Sequence, residues 1–156
     1  IDDLYSAKVL RLAANMPRAG RLSAPQASVE KTAKLCGSRI VVDIVLEDGV
    51  VADFAQEVKA CALGQAAAAV LGAHVIGATP AEIEEARAAL HAMLKTGGPS
   101  PTGRFADLAM LEPVKDYAPR HASTLIAFEA AAEAARRAQA LAEHPATPRT
   151  SAAGAA

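Results

Sequence analysis

Residues 35–71 read LCGSRIVVDIVLEDGVVADFAQEVKACALGQAAAAVL, and this stretch decides the fold. Arg39 to Leu46 alternates, with Ile40, Val42, Ile44 and Leu46 on one face and Arg39, Asp43 and Glu47 involving the other. That period of two predicts a half-buried strand. Glu47-Asp48-Gly49 is a tight-turn signal, because glycine accepts the positive φ such hairpins require. Val50 to Val58 then returns as a second strand, with Val50, Ala52, Phe54 and Val58 expected on one face. The only two cysteines bracket this hairpin, Cys36 before its first strand and Cys61 after its second. Antiparallel strands of similar length bring their outer ends together, so the two thiols are expected side by side.

Outward from the hairpin, residues 28–35 roughly alternate and predict an edge strand, with Val29, Ala33 and Leu35 sharing a face. Before it, Asp3 to Asn15 reads as a short helix with Tyr5, Val9 and Leu12 on one side, ended by Pro17 and Gly20. After Cys61 the period becomes helical through Leu63, Ala67, Val70 and His74, and Gly77 closes that helix. Thr79-Pro80-Ala81-Glu82 is a capping box with proline at the first helical position. The helix it opens carries Ile83, Arg87, Leu90 and Leu94 at helical spacing. Residues 96–103 form a glycine/proline loop, expected to be the most mobile segment. Phe105, Leu108 and Leu111 predict a short helix stopping before Pro113, and residues 123–141 a long one with Leu125, Phe128, Ala132 and Ala135 facing inward. The layout is α+β: a three-stranded antiparallel sheet packed against a helical layer. It reads as one domain over residues 1–143, followed by a flexible tail at residues 144–156.

The 156 residues are 52% hydrophobic but only 3% aromatic, so the core must be aliphatic and rich in alanine. Sixteen basic against seventeen acidic residues leave a net charge of −1 with no basic block. That argues against binding nucleic acid or an anionic membrane through neutralised phosphates. No apolar run approaches the roughly 20 residues a membrane span needs. Ile1-Asp2-Asp3 lacks the basic start of a secretory signal, so a soluble cytoplasmic protein with reduced cysteines is expected.

Chemistry concentrates at the ends of the hairpin. Cys61 opens a helix, where free N–H groups and the helix dipole favour the thiolate that binds metal. Cys36 precedes a glycine, which lets the backbone turn closely around an ion or cluster. His121 follows Tyr117-Ala118-Pro119-Arg120 and precedes the last helix, at the end of the sheet where Cys61 is expected, and so is a candidate third ligand. Ser38, Lys34 and Arg120 are candidates for the surrounding shell, although ordinary surface polarity explains each of them equally well. The plain alternative is two buried thiols acting as small hydrophobes. No phosphate loop, Ser/His/Asp set or paired-carboxylate signature points to a conventional enzyme.

These motifs resemble the IscU/NifU-type iron–sulfur cluster assembly scaffolds over most of Tyr5 to Ala135. Asn15-Met16-Pro17-Arg18-Ala19-Gly20 is similar to the family's Asn-Pro-Arg-Asn-x-Gly, and Cys36-Gly37-Ser38 to its Cys-Gly-Asp. Ala60-Cys61-Ala62-Leu63-Gly64-Gln65-Ala66 resembles Gly-Cys-Ala-x-Ser-x-Ala. Pro119-Arg120-His121-Ala122-Ser123-Thr124-Leu125 falls where the family carries its third cysteine. The resemblance implies the same α+β fold and a role holding a nascent cluster for transfer to apo-proteins. It also implies docking with a cysteine desulfurase that supplies sulfur. Two positions depart from the pattern: the aspartate is Ser38, and the third cysteine is Ala122 beside the retained His121.

Three readings follow. In the first, Cys36, Cys61 and His121 hold iron or a cluster, expected as [2Fe–2S]. Since such a cluster takes four protein ligands, a variant shares it in a homodimer, each subunit giving Cys36 and Cys61. In the second, the same residues and a water hold zinc. In the third, the chain is a metal-free interaction module that keeps the fold and docks with assembly partners.

Overall fold

A computed structural model describes residues 5–143; the expected tail and the first residues of the expected first helix lie outside them. Three antiparallel strands, β1 (Ala27–Ala33), β2 (Ser38–Glu47) and β3 (Val50–Lys59), form one sheet in the order β1-β2-β3. The turn between β2 and β3 has φ 55° at Asp48 and 80° at Gly49, the double positive φ that matches strand twist in a two-residue hairpin loop. Ile40, Val42, Ile44 and Leu46 are all buried, as the alternation of β2 predicts.

The returning strand departs from simple alternation. Val45 pairs with Asp53 but Leu46 pairs with Val51, so Ala52 is an extra residue that bulges out of the ladder. Val51 therefore turns inward beside Phe54, while Ala52 is exposed. The same register puts Gln56 on the core side, opposite Val42. Its Nε2 donates to the carbonyls of Ala68 (2.9 Å) and Pro17 (3.2 Å), tying the N-terminal segment to the sheet. Residues 18–20 run along the same strand: the Gln56 N–H donates to the Arg18 carbonyl, and the Gly20 N–H to the Gln56 carbonyl.

Four helices build the layer over the sheet, two lying against the strands and two packed on those. The first, α1 (Ala7–Ala14), starts at a Ser6 cap and turns Val9 inward. The second, α2 (Ala62–His74), is apolar all round because it lies between α1, β3 and the last helix; Ala66 to Ala69 have no exposed surface. The third, α3 (Pro80–Thr96), opens on the capping box, with Thr79 and Glu82 exchanging both bonds. The last, α4 (His121–Glu143), packs along β1, β2, α2 and α3 and buries Leu125, Phe128, Ala132 and Ala135. Small residues let these helices approach closely, and the few aromatics fill what alanine cannot. Phe105 meets Phe128 edge-on at 5.2 Å between ring centroids. The α+β expectation stands.

Three local expectations do not. Leu35 is 75% exposed rather than facing inward, because β1 ends at Ala33 and residues 34–37 turn away from the sheet. The short helix before Pro113 is instead a kinked 3₁₀ run, Gly103–Asp116, that continues through that proline. A 3₁₀ turn of this kind, Ala118–Arg120, also leads directly into α4. Asp43, read as belonging to the polar face, is fully buried. The segment before β1 folds over it, with Arg21 Nε donating at 2.7 Å and the Leu22 N–H at 2.9 Å, and Ser28, its partner across the β1–β2 ladder, supplies its hydroxyl. Burial alone would push the Asp43 carboxyl up. Arg21, Ser28 and the Leu22 N–H outweigh it and hold the group below the usual carboxylate range.

Candidate functional site

The end of the hairpin away from the Asp48–Gly49 turn is marked by the pair Arg39↔Lys59. The segments just beyond that pair carry Cys36 and Cys61, so the ladder itself delivers both cysteines to one rim. Each is a free thiol and half-buried. Cys36 sits on the turn between β1 and β2, where Gly37 adopts φ 73°. Cys61 occupies the cap position of α2, in extended conformation, and its side chain makes no capping bond.

Two buried hydroxyls serve these thiols. Ser38 Oγ lies 3.0 Å from Cys36 Sγ, and Ser123 Oγ lies 3.3 Å from Cys61 Sγ. The Cys36 thiol is held below its ordinary range, first by the Ser38 hydroxyl. Burial opposes the shift; the Ser38 backbone, the Ser123 hydroxyl and the positive charge of Arg120 add to it. Ser123 thus meets Cys61 from the first turn of α4. Arg120 is half-buried at the same rim, whereas Lys34 is exposed.

His121 is the first residue of α4 and only 4% exposed. Its Nε2 lies 2.9 Å from the Val114 carbonyl and 3.1 Å from that of Lys115. Carbonyl oxygens only accept, so Nε2 carries the proton and donates. Nδ1 is buried without a partner; in the neutral ring it is the bare lone pair with which imidazole binds metal. Among the described residues no three His, Cys, Asp or Glu side chains stand close enough to form a ready metal site. The structure therefore places the two cysteines on one rim with Ser38, Ser123 and Arg120, and holds His121, two residues before Ser123, against the 3₁₀ run. Of the other histidines, His74 contacts Asp107 at 3.3 Å and His91 is exposed.

Two residues of this rim escape a reading by motif. Ser123 looks like an ordinary helix-start serine in sequence, yet it has no exposed surface. Gly64 lies in an alanine-rich helix, where glycine is costly. The reason is contact: a Cβ there would lie 2.8 Å from the Ser123 carbonyl oxygen and 2.8 Å from the Ala60 Cβ. The glycine in that context was the available signal that another backbone comes close.

A family model described as NifU-like N terminal domain matches residues 4–124. The crystal structure of a nitrogen-fixing NifU-like protein (N-terminal) from Brucella abortus superposes with a TM-score of 0.87 at 51% identity, covering 89% of this chain and 96% of that one. A putative iron–sulfur cluster assembly scaffold protein for the SUF system, from the thermophile Fervidobacterium islandicum AW-1, superposes at 0.78. It is 19% identical over 86% of this chain and 98% of its own, a likeness of fold alone. No curated protein matches the chain.

Proposed function

The chain belongs to the NifU-like N-terminal domain family, and from that premise we propose that it is an iron–sulfur cluster assembly scaffold or carrier. The single observation that carries the reading is the placement of the only two thiols on one rim of the sheet, each beside a buried hydroxyl. Iron or a nascent cluster, [2Fe–2S] in the form we favour, is the cargo. Cys36 and Cys61 are its thiolate ligands, and His121, with its unpartnered Nδ1, is the third, which requires the three to draw closer than they stand in the structure. Ser38 and Arg120 surround the sulfur atoms and favour the charged form of Cys36. A turn that exposes Leu35 beside Cys36 leaves the rim open to proteins that deliver sulfur or receive the cluster. A cysteine desulfurase and recipient apo-proteins are the partners proposed, in the cytoplasm, where thiols stay reduced. No helix among the described residues is long and apolar enough to cross a membrane.

Two thiols and one imidazole leave one place open on a cluster that takes four ligands. A homodimer in which each subunit gives Cys36 and Cys61 closes it without His121, so the His121→Ala variant separates the two arrangements. Cluster retained in a dimer points to the shared form, and cluster lost points to His121 as ligand.

The reading is tested by oxygen-free reconstitution with iron and sulfide, followed by visible absorption and metal analysis on wild type and Cys36→Ala. Sulfur-to-iron absorption in the wild type and its loss in the variant are expected. One zinc per chain without sulfide would replace the cluster by a zinc site. A colourless, metal-free wild type would leave a protein-interaction module that kept the fold.

A further inference from the structure

The ligand set proposed above makes no use of Ser123. Its hydroxyl is fully buried, lies 3.3 Å from Cys61 Sγ, and donates to the Arg120 carbonyl at 3.2 Å. While that proton lies on the Arg120 carbonyl, the oxygen accepts from the Cys61 S–H. Metal binding removes the thiol proton, and the sulfur then becomes an acceptor. The hydroxyl must turn from the carbonyl to the sulfur, a rotation about one bond.

The surroundings make that rotation free of an orphaned group. Thr124 Oγ1 also donates to the Arg120 carbonyl, at 2.7 Å, so the carbonyl stays satisfied when Ser123 leaves it. The main chain of Ser123 is held meanwhile by the contact at Gly64, three residues after Cys61 on α2. We propose that Ser123 is the positioning residue of the site: it sets the Cys61 thiol and supplies a hydrogen bond to its sulfur once metal is bound. This rests on the scaffold reading and extends it to a residue outside the ligand set. The Cys61 thiolate gains a charge-assisted bond of the kind worth about tenfold or more in affinity.

The test is an oxygen-free titration of the full chain with cobalt(II) alone, on wild type, Ser123→Ala and Ser123→Thr. Thiolate-to-cobalt charge-transfer bands count the sulfur ligands and move to longer wavelength when a sulfur loses a hydrogen bond. Ser123→Ala is expected to keep both sulfur ligands, bind about tenfold more weakly, and show the shifted band. Its metal-free unfolding temperature is expected within about 3 °C of wild type. Ser123→Thr keeps the hydroxyl and recovers both affinity and band position. Equal affinity and identical bands in wild type and Ser123→Ala would overturn the proposal. So would a loss of affinity matched by a loss of metal-free stability and unrelieved in Ser123→Thr, which marks a packing role. A wild type that takes up no cobalt ends the thiol-site reading itself, and the positioning role with it; the wild-type titration thus tells the two failures apart.

Discussion

The polar clusters around Asp43 and around the cysteines are built on opposite terms. Around Asp43 every polar atom has a partner: Arg21, Ser28 and the Leu22 N–H all converge on one carboxylate. Around the cysteines capacity is left over. His121 Nδ1 has no partner, the thiols are half-exposed, and the Arg120 carbonyl has two hydroxyl donors where one would do. The first arrangement fastens the segment before β1 onto the sheet and leaves nothing for a ligand. The second leaves sulfur and nitrogen lone pairs able to accept a metal. A buried orphan alone does not make a site, since Gln56 Oε1 is also unpaired; what distinguishes the rim is two thiols converging beside it.

The contrast breaks first at Asp43. Asp43→Asn removes the charge that Arg21 and the Leu22 N–H are arranged around, and a loss of about 3 kcal/mol in urea unfolding is expected. Metal uptake per folded chain should not change. The folded pKa of Asp43 lies below its unfolded value, so its contribution is present above the unfolded pKa and is lost as pH falls through the folded one. Acid unfolding of wild type is therefore expected to be steeper than that of Asp43→Asn. A variant as stable as wild type at neutral pH would mean that the cluster fastens nothing. Gly64→Ala comes next. A Cβ 2.8 Å from a backbone oxygen forces α2 and α4 apart, at a cost of about 1–2 kcal/mol after alanine's better helix propensity is counted. Unlike Asp43→Asn it moves Ser123, so metal affinity should fall with stability.

How far each cluster was legible follows from the same physics. The hairpin, its turn and the meeting of Cys36 with Cys61 come from local period and strand length, and the capping box at Thr79 from side chains three residues apart. Asp43 alternates like any surface strand residue; only a segment 15 to 22 residues earlier, folded across it, turns it into a buried anchor. The bulge at Ala52 is a mismatch between two strands that neither strand signals alone. The 3₁₀ run defeats a rule that is sound for α-helices, because Pro113 is tolerated within the 3₁₀ path seen here. Ser123 and Gly64 depend on where α4 crosses α2, a tertiary contact with no motif.

The cysteines sharpen the contrast from the other side. Cys36→Ala and Cys61→Ala each remove a small, half-buried group, so stability should change by less than about 1 kcal/mol while metal uptake is lost. That is the reverse of the signature expected at Asp43, and a cysteine variant that unfolds without metal would erase the distinction. Smallest of all is the effect of Ser38→Ala. The Ser38 hydroxyl is the foremost cause that holds the Cys36 thiol below its ordinary range. Without it the thiolate should appear at higher pH, read from iodoacetamide alkylation rates on a Cys61→Ala background so that one thiol reports. The sign follows from the acceptor: a hydrogen bond to the sulfur stabilises the charged form, and burial, which opposes it, remains when the bond is gone. An alkylation profile that stays in place, or moves to lower pH, would show that the hydroxyl accepts from the thiol rather than donating to it. The rim would then lose its first donor to sulfur, and Ser123 would be left to supply that bond alone.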